Sequence, residues 1–197
     1  LALVPLATNL AAGNRTMIKM SEFTPATNKA LKLLLDEIFD ESHAAIIEGE
    51  VDVSTAFSEK PWDHLIFTGS TAVGKHVMAA AAKNLVPVTL ELGGKSPVVI
   101  GNSADMKVSA KRIMFGKTLN AGQICLAPDY VIVHKDKKEE FVKEAENAIK
   151  EFYPSIKNND DYSSIINERH YNRINALVED AKEKGAHINQ INPYSED

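Results

Sequence analysis

A single cysteine, Cys125, stands in NAGQICLAPDYV, Asn120 to Val131, between a helical stretch and a strand and shortly after Gly122. The thiolate is the nucleophilic form, and a free thiol with a pKa of about 8.5 is only ~3% thiolate at neutral pH. A nucleophile here needs help from nearby dipoles or charges; the alternative is a buried cysteine acting as a small apolar filler. Cys125 follows Glu91 by 34 positions. Glu91 interrupts the apolar strand of VTLELGGKSP, Val88 to Pro97, immediately before two glycines. A carboxylate there, were it held partly out of water, could serve as a general base. A strand-end glutamate facing solvent fits the same spacing.

A third segment, HLIFTGSTAVGK, His64 to Lys75, reads as a strand, a tight glycine turn and a helix. Main-chain N–H groups at such a helix start, with the macrodipole behind them, suit an anionic phosphate. Gly69 lets the backbone turn and approach closely, and the Ser70 hydroxyl can donate to a phosphate oxygen. An ordinary strand-to-helix turn with a serine cap fits equally. Gly69 through Lys75 also matches GxxxxGK, the core of a nucleotide phosphate loop. His76 stands where that loop needs Ser or Thr, so no hydroxyl reaches Mg²⁺.

The elements that must position these residues alternate between short β runs and helical stripes. Residues Leu1 to Ala12 read as a helix stopped by Gly13-Asn14, followed by a strand from Thr16 to Met20. Thr24 caps the next helix with Pro25 in its first turn, and Leu31, Leu34, Leu35, Ile38 and Phe39 form its apolar face. Strands are expected at Ala44 to Ile47 and His64 to Phe67, joined by a polar connection. A helix over Ser70 to Lys83 precedes strands at Val88 to Leu92 and Pro97 to Ile100. Helices at Asp105 to Leu119 and Lys137 to Tyr153 flank a strand at Tyr130 to His134. A last helix runs from Glu168 to Lys184, capped by Asn167 and ended by Gly185. This alternation predicts an α/β fold with parallel sheets covered on both faces. The Gly93-Gly94 pair is the expected domain hinge.

Composition narrows the functional classes. Of 197 residues, 44% are hydrophobic and 25% charged, which supports a folded core. Lysine and arginine number 22 against 27 acids, a net charge of −5, so the basic excess of a nucleic-acid binder is missing. No apolar run approaches the ~18 residues of a membrane helix. One cysteine excludes an intrachain disulfide framework, and the six histidines are scattered without metal-ligand spacing. No metal site is expected. Cysteine poverty and the lack of a charged leader fit a reducing, cytoplasmic setting. The chain opens at Leu1 within a helical pattern and reads as an internal piece of a longer protein.

Taken together, FTGSTAVG, LELGGKSP and GQIC resemble, in order and spacing, the signatures of the NAD(P)-dependent aldehyde dehydrogenase superfamily. The Glu91-to-Cys125 interval matches that between the family's general base and nucleophile. The resemblance runs from AAGNRTMIKMSEFTP to at least the helix ending at Gly185. PWDHLIFTGSTAVGK and GQICLAPDYV are most similar to the class 3 branch, and to coniferyl-aldehyde dehydrogenases within it.

The resemblance implies parts of two open, Rossmann-like parallel-sheet domains: residues 1–92 the later part of an NAD(P)-binding domain, 93–197 the first part of a catalytic domain. It implies that Cys125 attacks the aldehyde carbon, that the resulting thiohemiacetal loses hydride to the nicotinamide, and that Glu91 activates the water that releases the acid. The Cys125 main-chain N–H would form half of the oxyanion hole. Lys19 and Glu22 fall where the family holds the adenosine ribose; Gly69 and Ser70 meet the pyrophosphate, and Val73 lines the cofactor site. Glu22 favours NAD, with NADP tolerated beside Lys19. Met20 stands at a position where the family often has proline. The family's oxyanion asparagine and its carboxylate for the nicotinamide ribose fall outside residues 1–197, so this chain alone is expected to be inactive. The implied partners are an aromatic or otherwise hydrophobic aldehyde and, at full length, further copies in a homo-oligomer. A CoA-acylating relative is the alternative within the family, against which Glu91 argues; a phosphate-loop nucleotide-binding protein is the alternative outside it.

Overall fold

The computed structural model describes residues 1–157 and 159–191. The chain divides into two compact units, Leu1–Gly93 and Gly94–Asp197.

In the first unit, α1 (Leu3–Ala11) leads to β1 (Thr16–Lys19), α2 (Pro25–Ile38) and β2 (Ala44–Ile47). Gly13 stops α1 in the left-handed conformation, with φ of 77°. Strands β1 and β2 pair in parallel, Thr16 opposite Ala44 and Lys19 opposite Ile47. A parallel pair needs a crossover, and α2 supplies it. Leu6, Met20, Leu35, Ala44 and Ile46 form the core beneath, with Leu31 and Phe39 packed against them.

Two details of α2 differ from the sequence reading. Its apolar face is narrower: Leu31, Leu35 and Phe39 lie along one i, i+4 row and turn inward, whereas Leu34 and Ile38 are 48% and 59% exposed. Nor does the Thr24 hydroxyl accept from the first turn. It donates to Asn28 Oδ1 at 3.0 Å, while the buried Asn28 amide donates to the Ser21 carbonyl at 2.7 Å. An internal asparagine thereby ties down the entry to the helix.

The polar connection expected after β2 contains a short helix, α3 (Val51–Ser58). It is followed by β3 (Leu65–Thr68), α4 (Thr71–Ala82) and β4 (Val88–Glu91). Strands β3 and β4 pair in parallel from Leu65–Val88 to Thr68–Glu91. Leu65, Val77, Ala81 and Val86 make this core, flanked by Phe57 and Trp62, whose rings stand 4.7 Å apart.

The second unit repeats the plan with β5 (Ser96–Val99), α5 (Met106–Thr118), β6 (Pro128–Ile132), α6 (Lys138–Phe152) and α7 (Glu168–Glu183). Strand β6 begins two residues earlier than the sequence predicts, at Pro128, a first-residue position that asks no N–H of it. It pairs in parallel with β5, with an irregularity between Ser96 and Pro97. Ile100, Met106 and Ile113 are buried, and Val131 and Phe141 pack on them. The stripe expected on α6 holds, with Ala145, Ala148 and Ile149 buried. Asp105 caps α5 and Asn167 caps α7, each accepting a main-chain N–H at 2.9 Å, and Gly185 closes α7 with φ of 82°. The architecture is α/β, built among the described residues from three parallel strand pairs. No helix among them is long and apolar enough to cross a membrane.

Candidate active site

The turn after β3 leads straight into a side-chain-capped helix start. Ser70 is the N-cap of α4, and its Oγ accepts from the Val73 N–H at 3.3 Å, leaving the hydroxyl hydrogen to donate outward. Val73 is 48% exposed beside it. Gly69 sits where a β-carbon would lie 2.5 Å from the Phe67 ring, so the turn is as close-packed as a glycine permits. Gly74 plays the matching part inside α4, where a β-carbon would stand 2.8 Å from Leu92. The helix thus lies tight against the end of β4.

That packing excludes the phosphate-loop alternative on geometry. Helix α4 begins at Thr71, so residues 71–75 of the GxxxxGK match are helical rather than a loop wrapped around a phosphate. One further contact links the turn to the candidate base: the Gly69 N–H donates to the Glu91 carbonyl at 2.9 Å. Glu91 ends β4 with its side chain exposed, on the same face as Thr89 and opposite Leu90.

At the end of β1, Lys19 and Glu22 face each other at 3.4 Å, with side chains 9% and 31% exposed. The Glu22 carboxyl is held below its ordinary pKa, first by its own main-chain N–H and then by Lys19, against an opposing push from partial burial. Glu22 is therefore an anion at neutral pH, with a cation fixed beside it.

In the second unit the path to Cys125 is a tight, unusual turn. Below α5, Asn120, Ala121 and Gly122 follow one another in the left-handed region, with φ of 52°, 53° and 74°. Two of these carry side chains, which costs about 1–3 kcal/mol at each such position. Glycine is needed at 122, where a β-carbon would press on the Lys117 carbonyl at 2.9 Å. Gln123, half-buried, follows directly. Cys125 itself is exposed in this chain.

Three supports for this segment escape sequence reasoning. A β-carbon on Gly94 would stand 2.8 Å from the Cys125 carbonyl oxygen, so the first residue of the unit must be glycine for the cysteine loop to approach. Lys95 pairs with Asp129 at 3.1 Å, joining the starts of β5 and β6. The Gln123 amide reaches residues more than 40 positions away, at Ser164 and Ile166. Gly94, Lys95 and Gln123 all lie in segments that carry the resemblance, but nothing in the sequence assigns them these contacts.

Among the described residues no group of three or more His, Cys, Asp or Glu side chains is placed to hold a metal ion.

Residues 1–192 match the model of the aldehyde dehydrogenase family. The chain is 55% identical over its whole length to a probable coniferyl aldehyde dehydrogenase of Caulobacter vibrioides. It is 52% identical, again over its whole length, to a coniferyl aldehyde dehydrogenase of a Pseudomonas species. In both cases it spans 41% of the relative's length. Among solved structures it resembles betaine aldehyde dehydrogenase from Staphylococcus aureus in complex with NAD⁺, with a TM-score of 0.83 at 30% identity, covering 94% of this chain and 38% of that one. With a family match over nearly every residue, and the same α/β architecture, the chain belongs to the aldehyde dehydrogenase family.

Proposed function

We propose that the protein carrying this chain oxidises an aldehyde to its carboxylic acid with a nicotinamide dinucleotide, using Cys125 as nucleophile and Glu91 as the base for hydrolysis. The observation that supports this best is the presentation of Cys125, an exposed thiol on a loop held against Gly94. In the first unit we assign the later part of the dinucleotide-binding domain, and in the second the first part of the catalytic domain.

Cys125 Sγ, as thiolate, adds to the aldehyde carbon, and its own main-chain N–H donates to the oxyanion that forms. When bound, the oxidised dinucleotide supplies the hydride acceptor that converts this thiohemiacetal to a thioester. Glu91 takes a proton from the water that then attacks the thioester carbonyl, and Cys125 leaves as the thiolate with the acid released. A carboxylate dedicated to that water favours hydrolysis over transfer of the acyl group to CoA.

The residues present fit the dinucleotide. Gly69 and the Ser70 hydroxyl, at the head of α4, offer the pyrophosphate a close main-chain approach, the helix dipole and a donor. Val73 lines the site. Lys19 and Glu22 offer the adenosine ribose one donor and one acceptor. An anionic Glu22 accepts from a 2′-hydroxyl and repels a 2′-phosphate, which favours NAD; Lys19 offsets part of the repulsion, so NADP is tolerated.

The substrate class we infer is aromatic or otherwise hydrophobic, supported by the names of the coniferyl aldehyde dehydrogenases that share half or more of the sequence. A reducing, cytoplasmic setting would keep Cys125 a free thiol, and the full-length protein is inferred to form a homo-oligomer. The test is NADH production by the full-length protein over a panel of aromatic and aliphatic aldehydes. Activity that requires CoA, or none with any aldehyde, would overturn the reading.

A further inference from the structure

Gln123 uses every hydrogen-bonding group of its side chain. Its Nε2 donates to the Asn120 carbonyl and to the Ser164 carbonyl, each at 3.0 Å. Its Oε1 accepts the Ile166 N–H at 2.9 Å. The set allows one orientation of the amide only, because a flip would face the oxygen with two carbonyls and the NH₂ with an N–H. Asn120 is the first of the three left-handed residues that lead to Cys125, and Ser164 and Ile166 bracket the approach to α7.

We propose that Gln123 is a positioning residue for the Cys125 thiol, its amide clamping the strained turn at Asn120 to the segment 164–166 so that the thiol is held for attack. The proposal rests on the reading of Cys125 as nucleophile given above. A left-handed run with two side-chain-bearing residues relaxes toward commoner backbone conformations unless something opposes it. Gln123 is anchored to a segment more than 40 residues away and bonds back to Asn120, where the run begins. Cys125 lies two residues beyond, so relaxation of the turn moves Sγ directly.

The experiment measures the single-turnover burst of NADH in the full-length protein, with Gln123→Ala and Gln123→Glu. Gln123→Ala is expected to slow the burst about 10²-fold, the cost of a reacting group displaced by ~1 Å. The aldehyde KM and the dinucleotide Kd should stay within about twofold, because neither depends on the clamp. Gln123→Glu keeps the shape and the acceptor for Ile166, and sets a carboxylate against two carbonyls. Its burst rate relative to the unmodified protein should rise as pH falls from about pH 7 to about pH 5, toward the carboxyl range, as the carboxyl takes up a proton and donates again. The ratio for Gln123→Ala should stay flat over the same range. If Gln123→Ala does not fold, the pH response of Gln123→Glu decides alone. Unmodified burst rates in the variants that fold would overturn the proposal, and so would a slower burst accompanied by an equal loss of aldehyde and dinucleotide binding. An unmodified protein with no burst at all would instead defeat the reading of Cys125, and this proposal with it, before any variant of Gln123 is compared.

Discussion

Gly94 and the Cys125 carbonyl oxygen approach so closely that a β-carbon on residue 94 would stand 2.8 Å from that oxygen. The atom in the way is main chain, not the movable end of a side chain, so any larger residue must push the cysteine loop from its place. Gly94→Ala is therefore expected to slow the NADH burst of the full-length protein about 10- to 10²-fold through misplacement of the thiol. Dinucleotide binding should persist, since Lys19, Glu22, Gly69 and Ser70 belong to the other unit. Stopped-flow absorbance together with a dinucleotide titration checks both halves.

The two proposed catalytic residues should fail differently. Cys125→Ala is expected to abolish oxidation, because no covalent adduct forms. Glu91→Gln should still reduce the dinucleotide once and then stall at the thioester. Rapid mixing should show a near-stoichiometric burst followed by little turnover; full steady-state activity in Glu91→Gln would remove it as the deacylation base.

Cofactor preference is expected to turn on Glu22. The unmodified protein should use NAD better than NADP, and Glu22→Gln should narrow the gap by ending the repulsion of the 2′-phosphate. Steady-state kinetics with both dinucleotides decides, and a native preference for NADP would refute the assignment.

Glu22 should also leave a mark on stability. Its pKa is lowered in the folded chain, so the ionised form contributes stability that is fully present above the ordinary value of 4.5 and is lost as pH falls through the lower, folded value. Denaturant titrations of the unmodified protein and Glu22→Gln should differ at neutral pH, with the unmodified protein the more stable. The difference should shrink on acidification through that window. A difference that grows toward acid would contradict the sign.

The 197-residue chain by itself is not expected to turn over aldehyde. It spans 41% of the length of its coniferyl aldehyde dehydrogenase relatives. The family resemblance puts one oxyanion donor and the partner of the nicotinamide ribose outside it. Loss of one oxyanion donor alone costs ~10²- to 10³-fold in comparable acyl chemistry. The purified chain assayed beside the full-length protein tests this; comparable turnover per molecule would show those residues to be dispensable.

Much of this protein was legible without coordinates. The period-2 and period-3.6 patterns placed the strands and the longer helices to within a residue or two, and Asn167 and Gly185 marked the ends of α7 correctly, because caps and periodicity act between near neighbours. From residue type alone the segments around Ser70, Glu91 and Cys125 were candidates that a plain structural reading fitted as well, and only their joint resemblance to one family favoured the chemical reading. The short helix α3 was not legible, since eight residues give too brief a pattern, and neither was the exposure of Leu34 on α2. The contacts that hold the site belong to tertiary structure. The parallel register of β3 and β4 brings the Gly69 N–H to the Glu91 carbonyl, the pairing of β5 with β6 puts Lys95 beside Asp129, and the fold of the second unit brings Ser164 and Ile166 to Gln123. Each joins residues more than 20 positions apart. Local propensity carries no information over that distance, and only the register of the strands and the packing of the loops decide it.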